Sequence, residues 1–255
     1  MSYLLFGGFL LVTALGGGHF WLLFALGWLG SKLVQKIKER RQRKKLYTPN
    51  HSAVQEKGPE LLVISAEPDF PVPFGYKMQW AAVRCDNPEW VISALRPVSR
   101  QSANWKSGIA GVYADNHKVF LSPCLHGFVL MVGLSDDNRE LGLIGSFPEV
   151  KFFGSHRVVD YYEWTKYLNG QCARNYCYAD GEVKNDQGIL TPEELALGFD
   201  RFPAIENEKI SDADWDSMCF PNEEDVLHIA AAWGVDPKFE SKTYSLGTGW
   251  LCTVN

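Results

Sequence analysis

The chain has 255 residues and a formal net charge of −5, which hides a segregation: residues 1–59 carry nine Lys or Arg against two Asp or Glu. Residues 60–255 therefore hold 16 positive and 28 negative side chains, a net of −12. An acidic region of this kind disfavours nucleic acid as a partner, and its aromatic richness, with nine Trp in the chain, disfavours a disordered tail.

Tyr3 to Gly30 contains no Asp, Glu, Lys or Arg over 28 positions. A hydrocarbon core about 30 Å thick needs roughly 20 helical residues, so residues 1–30 are expected to form one transmembrane helix. Directly after it stand Lys32, Lys36, Lys38, Arg40, Arg41, Arg43, Lys44 and Lys45, against the single acid Glu39. A basic flank stays on the cytoplasmic side, so the expected topology is single-pass in the inner membrane with a cytoplasmic C-terminal domain. The eight cations are the expected contacts to anionic headgroups, making the lipid bilayer the first partner. Residues 31–59 read as a basic juxtamembrane helix and linker, the latter marked by Pro49-Asn50 and Gly58-Pro59.

Residues 60–255 are expected to form an acidic α+β domain, a mainly antiparallel sheet with packed helices, because strands and helices alternate without a βαβ rhythm. Leu61 to Ile64 and Lys77 to Cys85 read as strands. Asp86 or Asn87 can cap a helix that tolerates Pro88 in its first turn and turns Val91, Ile92 and Leu95 to a core. Val119 to Leu121 and Phe128 to Val132 read as neighbouring strands, and Asp136-Asp137-Asn138 as a loop. Val158, Tyr161, Tyr162, Thr165 and Leu168 recur at helical spacing before Asn169-Gly170, which predicts a helix over His156–Leu168 and a strand over Gln171–Tyr178. Thr191-Pro192-Glu193-Glu194 is a capping box opening a short helix, and Glu223 to Trp233 is a helix stopped at Gly234.

Three constellations could carry chemistry. Cys124, Cys172, Cys177 and His126 are zinc-type ligands, but on a strand Cys172 and Cys177 would project to opposite faces. Asp212, Asp214, Asp216 and Glu223 match an EF-hand spacing in which Ser217 replaces the required Gly, and a second near-match over 183–194 begins with Val183. His117, His126, His156 and His228 stand beside carboxylates and thiols, yet none lies in a nucleophile elbow, a phosphate-cradling loop or a two-His metal spacing. No metal, cofactor or catalytic residue is assigned. The six Cys are expected to be reduced in the cytoplasm.

His156-Arg157-Val158-Val159-Asp160-Tyr161-Tyr162-Glu163-Trp164, with Gly181-Glu182, Leu190 to Glu194 and Glu223 to Val226 before Trp233, resembles a pattern in uncharacterised bacterial single-pass membrane proteins. Some of those resemble immunity proteins of interbacterial toxin systems. The resemblance implies a domain that binds a protein and carries over no site residues; the acidic net charge makes a basic partner the expected one. The alternatives are a membrane-tethered enzyme with a Cys/His site and a structural subunit of a membrane complex.

Overall fold

The computed structural model describes residues 62–135, 142–201 and 220–254. The predicted transmembrane helix, the basic collar from Lys32 to Lys45 and the linker lie outside the described residues. Among the described residues, no helix is long and apolar enough to cross a membrane.

The elements in chain order are β1 (Met78–Arg84), α1 (Pro88–Leu95), β2 (Ser99–Asn104), α2 (Trp105–Ala114), β3 (Lys118–Leu121) and β4 (Phe128–Val132). There follow β5 (Glu149–His156), β6 (Tyr161–Leu168), β7 (Gln171–Ala179), β8 (Glu182–Gly188), α3 (Pro192–Ala196), a 3-10 turn at Phe199–Arg201, α4 (Glu223–Trp233) and β9 (Thr248–Thr253). The strands form one nine-stranded sheet in the order β2-β9-β3-β4-β1-β5-β6-β7-β8, with every pairing antiparallel. The α+β architecture expected from the sequence is therefore present.

Register explains why the sheet is so aromatic. Across its centre, Leu251, Phe120, Val132, Trp80, Phe153, Trp164 and Tyr176 are successive cross-strand neighbours on one face. Trp80 stacks on Phe153 at 5.3 Å and Trp164 on Tyr176 at 4.7 Å, pairings that add to simple area burial. Trp105, Ile109 and Val112 of α2 and Val226, Leu227, Ile229 and Trp233 of α4 belong to the core on this face. Opposite them, Ala81, Val83, Val129, Met131 and Phe152 share a second core with Val91, Ile92 and Leu95 of α1. Burial on both faces makes β4 apolar at every position instead of alternating.

The helix ends follow local chemistry. Asn87 accepts from the Glu89 N–H with Pro88 in the first turn, Thr191 and Glu194 cap each other reciprocally, and Asn222 and Asp225 do the same for α4. Helix α2 is masked in the sequence by Gly108 and Gly111, both poor helix formers. Asn104 caps it, and Asp69 accepts from the Trp105 and Lys106 N–H groups.

The predicted helix over His156–Leu168 is instead the end of β5, a turn, and β6. Asn169 and Gly170 have φ of +48° and +78°, the left-handed pair of a two-residue hairpin turn, so this Asn-Gly joins strands and does not stop a helix. Asp180-Gly181 repeats the device between β7 and β8. The predicted strand at the domain's start is likewise absent: residues 62–64 are irregular, with Leu62 and Val63 exposed. At the sheet's edge, β8 carries an extra residue, Lys184, that has no partner in the register with β7. A bulge and charges on an edge strand blunt it against edge-to-edge pairing.

Candidate functional site

An open cleft of about 880 Å³ lies at the end of the sheet where β1 begins and β4 finishes. Its walls come from Lys77 to Gln79, the carboxyl end of α2, Gly133 to Ser135, the β5–β6 turn and the β7–β8 turn. Tyr113, Asp115, His156, Val159, Tyr161 and Asp180 carry its chemistry.

The walls carry two tyrosines, Tyr113 and Tyr161, and two carboxylates, Asp115 and Asp180, with Lys77 as a base. Tyr113 stands 53 % exposed yet is fixed in place, because its hydroxyl donates to the Tyr76 carbonyl oxygen at 2.9 Å. Tyr76 donates its own hydroxyl to Glu224 at 2.8 Å, and that bond to a carboxylate holds the phenol above its ordinary pKa. Burial raises the Tyr113 phenol as well, so both rings are neutral at physiological pH. Val158 and Val159, on the turn across the cleft, are both exposed. Asp115 is oriented by accepting from the His117 N–H at 2.9 Å.

Behind the cleft runs a polar row on one face of β5–β7, in the segment whose sequence pattern mimics a helix. His156 pairs with Tyr161 across the strands, and Glu163 pairs with Cys177. Tyr161 donates to Glu163 at 2.5 Å, and the Thr165 hydroxyl lies 3.1 Å from the same carboxylate. Gly154 makes room for this: a Cβ there would come within 2.5 Å of the Tyr161 ring. His156 Nδ1 is buried with no hydrogen-bond partner among the described residues. Only period-2 reading of Tyr161-Tyr162-Glu163-Trp164-Thr165 could have shown that Tyr161, Glu163 and Thr165 share a face.

The other candidate residues fall elsewhere, and the thiol pair is placed differently from the expectation. Ala173 is an extra residue in β7, which resets the alternation and places Cys172 opposite Tyr167 and Cys177 opposite Glu163. Both thiols therefore lie on one face, contrary to the expectation of opposite faces. Four strand positions, about 13 Å, still separate them. Cys124 lies near Asp86 at the far end of the sheet, its sulfur 3.9 Å from Oδ1. Among the described residues no three His, Cys, Asp or Glu side chains gather closely enough to hold a metal ion. Burial pushes up the thiols of Cys85, Cys172 and Cys252, the last to about 11, away from the thiolate a nucleophile needs. Of the first calcium spacing, Asp212, Asp214 and Asp216 lie outside the described residues, while Glu223 is buried at the start of α4, 3.8 Å from Arg157. The second spacing is occupied by β8 and the α3 capping box.

The eight collar cations lie outside the described residues, so the cleft is a site the sequence did not point to. Comparison with protein-family models, with curated proteins and with solved structures gives no match.

Proposed function

We propose that this chain is a single-pass inner-membrane protein whose cytoplasmic domain binds a basic protein in the cleft between α2 and the β5–β6 turn. In its most specific form the partner is a toxin, and the chain is the immunity protein that neutralises it. The observation that carries the reading is the cleft wall: Tyr113 and Val159 stand exposed on it beside Asp115 and Asp180, which outnumber the one Lys of the lining, Lys77, and the adjoining Tyr76 and Val158 are exposed as well. Immobilised aromatic side chains beside carboxylates are the composition of a binding hot spot for a cationic surface. The net charge of −12 over residues 60–255 supports it by speeding encounter with a basic partner. The apolar span and its basic collar support the membrane address.

The test is co-expression of the full chain with the toxin encoded beside it, followed by affinity measurement on the purified pair. Tyr113→Ala is expected to weaken binding roughly 30-fold, the scale of a hot-spot tyrosine. Asp115→Lys is expected to lower the association rate and its salt dependence. No protection and no complex would overturn the reading.

A second reading, an enzyme working in the same cleft, draws on the Tyr161–Glu163 bond and on His156 opposite Tyr161. Glu163→Gln separates the two, since it would abolish turnover while leaving partner affinity within about threefold for a residue outside the rim.

A further inference from the structure

Three hydroxyl groups that wall the cleft donate back into the protein. Tyr113 donates to the Tyr76 carbonyl oxygen at 2.9 Å, Tyr161 to Glu163 at 2.5 Å, and Ser155 to the Gly75 carbonyl oxygen at 2.6 Å. The acceptors of the same wall are less completely used. Asp115 accepts the His117 N–H at 2.9 Å, whereas a carboxylate has about four acceptor positions. The Asp180 carboxylate is exposed on the β7–β8 turn. His156 holds its Nδ1 buried without a hydrogen-bond partner among the described residues, an open position in the hydrogen bonding of the wall.

We propose that the cleft recognises an arginine side chain of the basic partner, its N–H groups going to the Asp115 and Asp180 carboxylates and its planar cation meeting the tyrosine rings of the wall. The inference deepens the reading of the cleft as the partner-binding site and rests on it. Three observations select arginine. First, a guanidinium carries five N–H donors and no acceptor, the complement of a wall whose hydroxyl protons are committed and whose carboxylates are not. Second, Tyr113 and Tyr161 are each fixed by the bond from their hydroxyl, so both rings are preorganised as surfaces for a cation. Third, Val112, Leu134 and Val159 make part of the wall apolar. An ammonium is strongly hydrated and loses more on entering such a place than the weakly hydrated guanidinium, which also stacks on aromatic rings. Lys77 in the wall and Arg157 on the β5–β6 turn oppose a cation. Arg157 lies 3.8 Å from Glu223, which leaves two carboxylates to one lysine in the wall.

The experiment is an NMR titration of the full-length chain in detergent micelles, with isotope-labelled tyrosine rings and three probes: Nα-acetyl-arginine amide, its lysine counterpart, and its citrulline counterpart as the uncharged isostere. The Tyr113 and Tyr161 signals are assigned by their loss in Tyr113→Phe and Tyr161→Phe. The arginine probe is expected to shift both signals saturably, the lysine probe to bind at least about fivefold more weakly, and the citrulline probe to shift neither. Asp180→Asn is expected to weaken the arginine probe about threefold. That variant keeps the hairpin, because Asn suits the left-handed position at φ +54° that Asp180 occupies. Equal binding of the lysine or citrulline probe, no saturable shift, or unchanged affinity in Asp180→Asn would overturn the proposal. If Tyr113→Ala still weakens the toxin complex in any of these cases, the cleft remains the partner site and only the arginine assignment falls.

Discussion

Arg174 and Glu194 form an ion pair at 2.8 Å in which the guanidinium side chain is 1 % exposed and the carboxylate is fully buried. Glu194 accepts in addition from the Trp164 indole N–H and from the Thr191 N–H of its capping box, while Arg174 reaches Asp186 and the Gln187 carbonyl oxygen. One carboxylate thus ties β6, β7 and α3 together. Removing it leaves the buried guanidinium only the partly exposed Asp186 as counter-ion, so Glu194→Ala is expected to cost about 3 kcal/mol, read as a fall in the urea midpoint. Replacing both charges by apolar groups of similar volume, Arg174→Met with Glu194→Leu, is expected to recover part of that loss, because no buried charge remains although the Trp164 indole N–H loses its acceptor. Equal loss in the single and the double variant would contradict the arrangement.

Lys151 gives a pH signature. Its side chain is buried, bonded to Glu149 at 2.9 Å and to the Trp233 carbonyl oxygen, and it lies over the Phe128 ring. Burial outweighs the Glu149 attraction and holds the ammonium down at about 8. The unfolded chain keeps its lysine near 10.4, so across the interval between the two values the unfolded state binds more protons. The penalty for a buried ammonium is complete below pH 8 and is relieved as pH rises. Wild type is therefore expected to gain about 1 kcal/mol relative to Lys151→Met from about pH 8 to about pH 9. Taking the difference between the two proteins removes the opposing contribution of the buried thiols, whose raised pKa values erode stability in alkali. Parallel stability curves would contradict the assignment.

Gly108 and Gly111 show why α2 tolerates residues that weaken helices. A Cβ on Gly108 would overlap the Phe120 ring, and one on Gly111 would come within 2.7 Å of Leu251. Ala in place of Gly normally stabilises an exposed helix by about 1 kcal/mol. Here Gly108→Ala is expected to destabilise by about 1–3 kcal/mol through overpacking, measured by thermal unfolding. A raised melting temperature would mean that α2 does not lie on β3 and β9 as described.

The same two glycines mark the limit of what is legible in the sequence. Capping chemistry is local, so Asn87-Pro88, Thr191 to Glu194 and Glu223 to Gly234 mark their helices correctly. Helix α2 is illegible because its stability comes from Phe120 and Leu251 and not from its own residues. The His156–Leu168 segment carries two periods at once. Tyr161, Thr165 and Leu168 fit a helix, while Tyr162 and Trp164 alternate into the core, and Asn169-Gly170 is the hairpin signal that decides between them. The cleft escapes sequence reading for a related reason. Tyr113 with Asp115, His156 and Asp180 come from three separated stretches that only the strand order brings together.

Display of the domain inside the cell by a single span is the claim on which the rest depends, and paired reporters fused after Asn255 test it most directly. Green fluorescent protein folds to a fluorescent state in the cytoplasm, and alkaline phosphatase becomes active only outside it. Fluorescence with an inactive phosphatase is expected. An active phosphatase with a dark fluorescent fusion would place the domain on the outer face and contradict the claim.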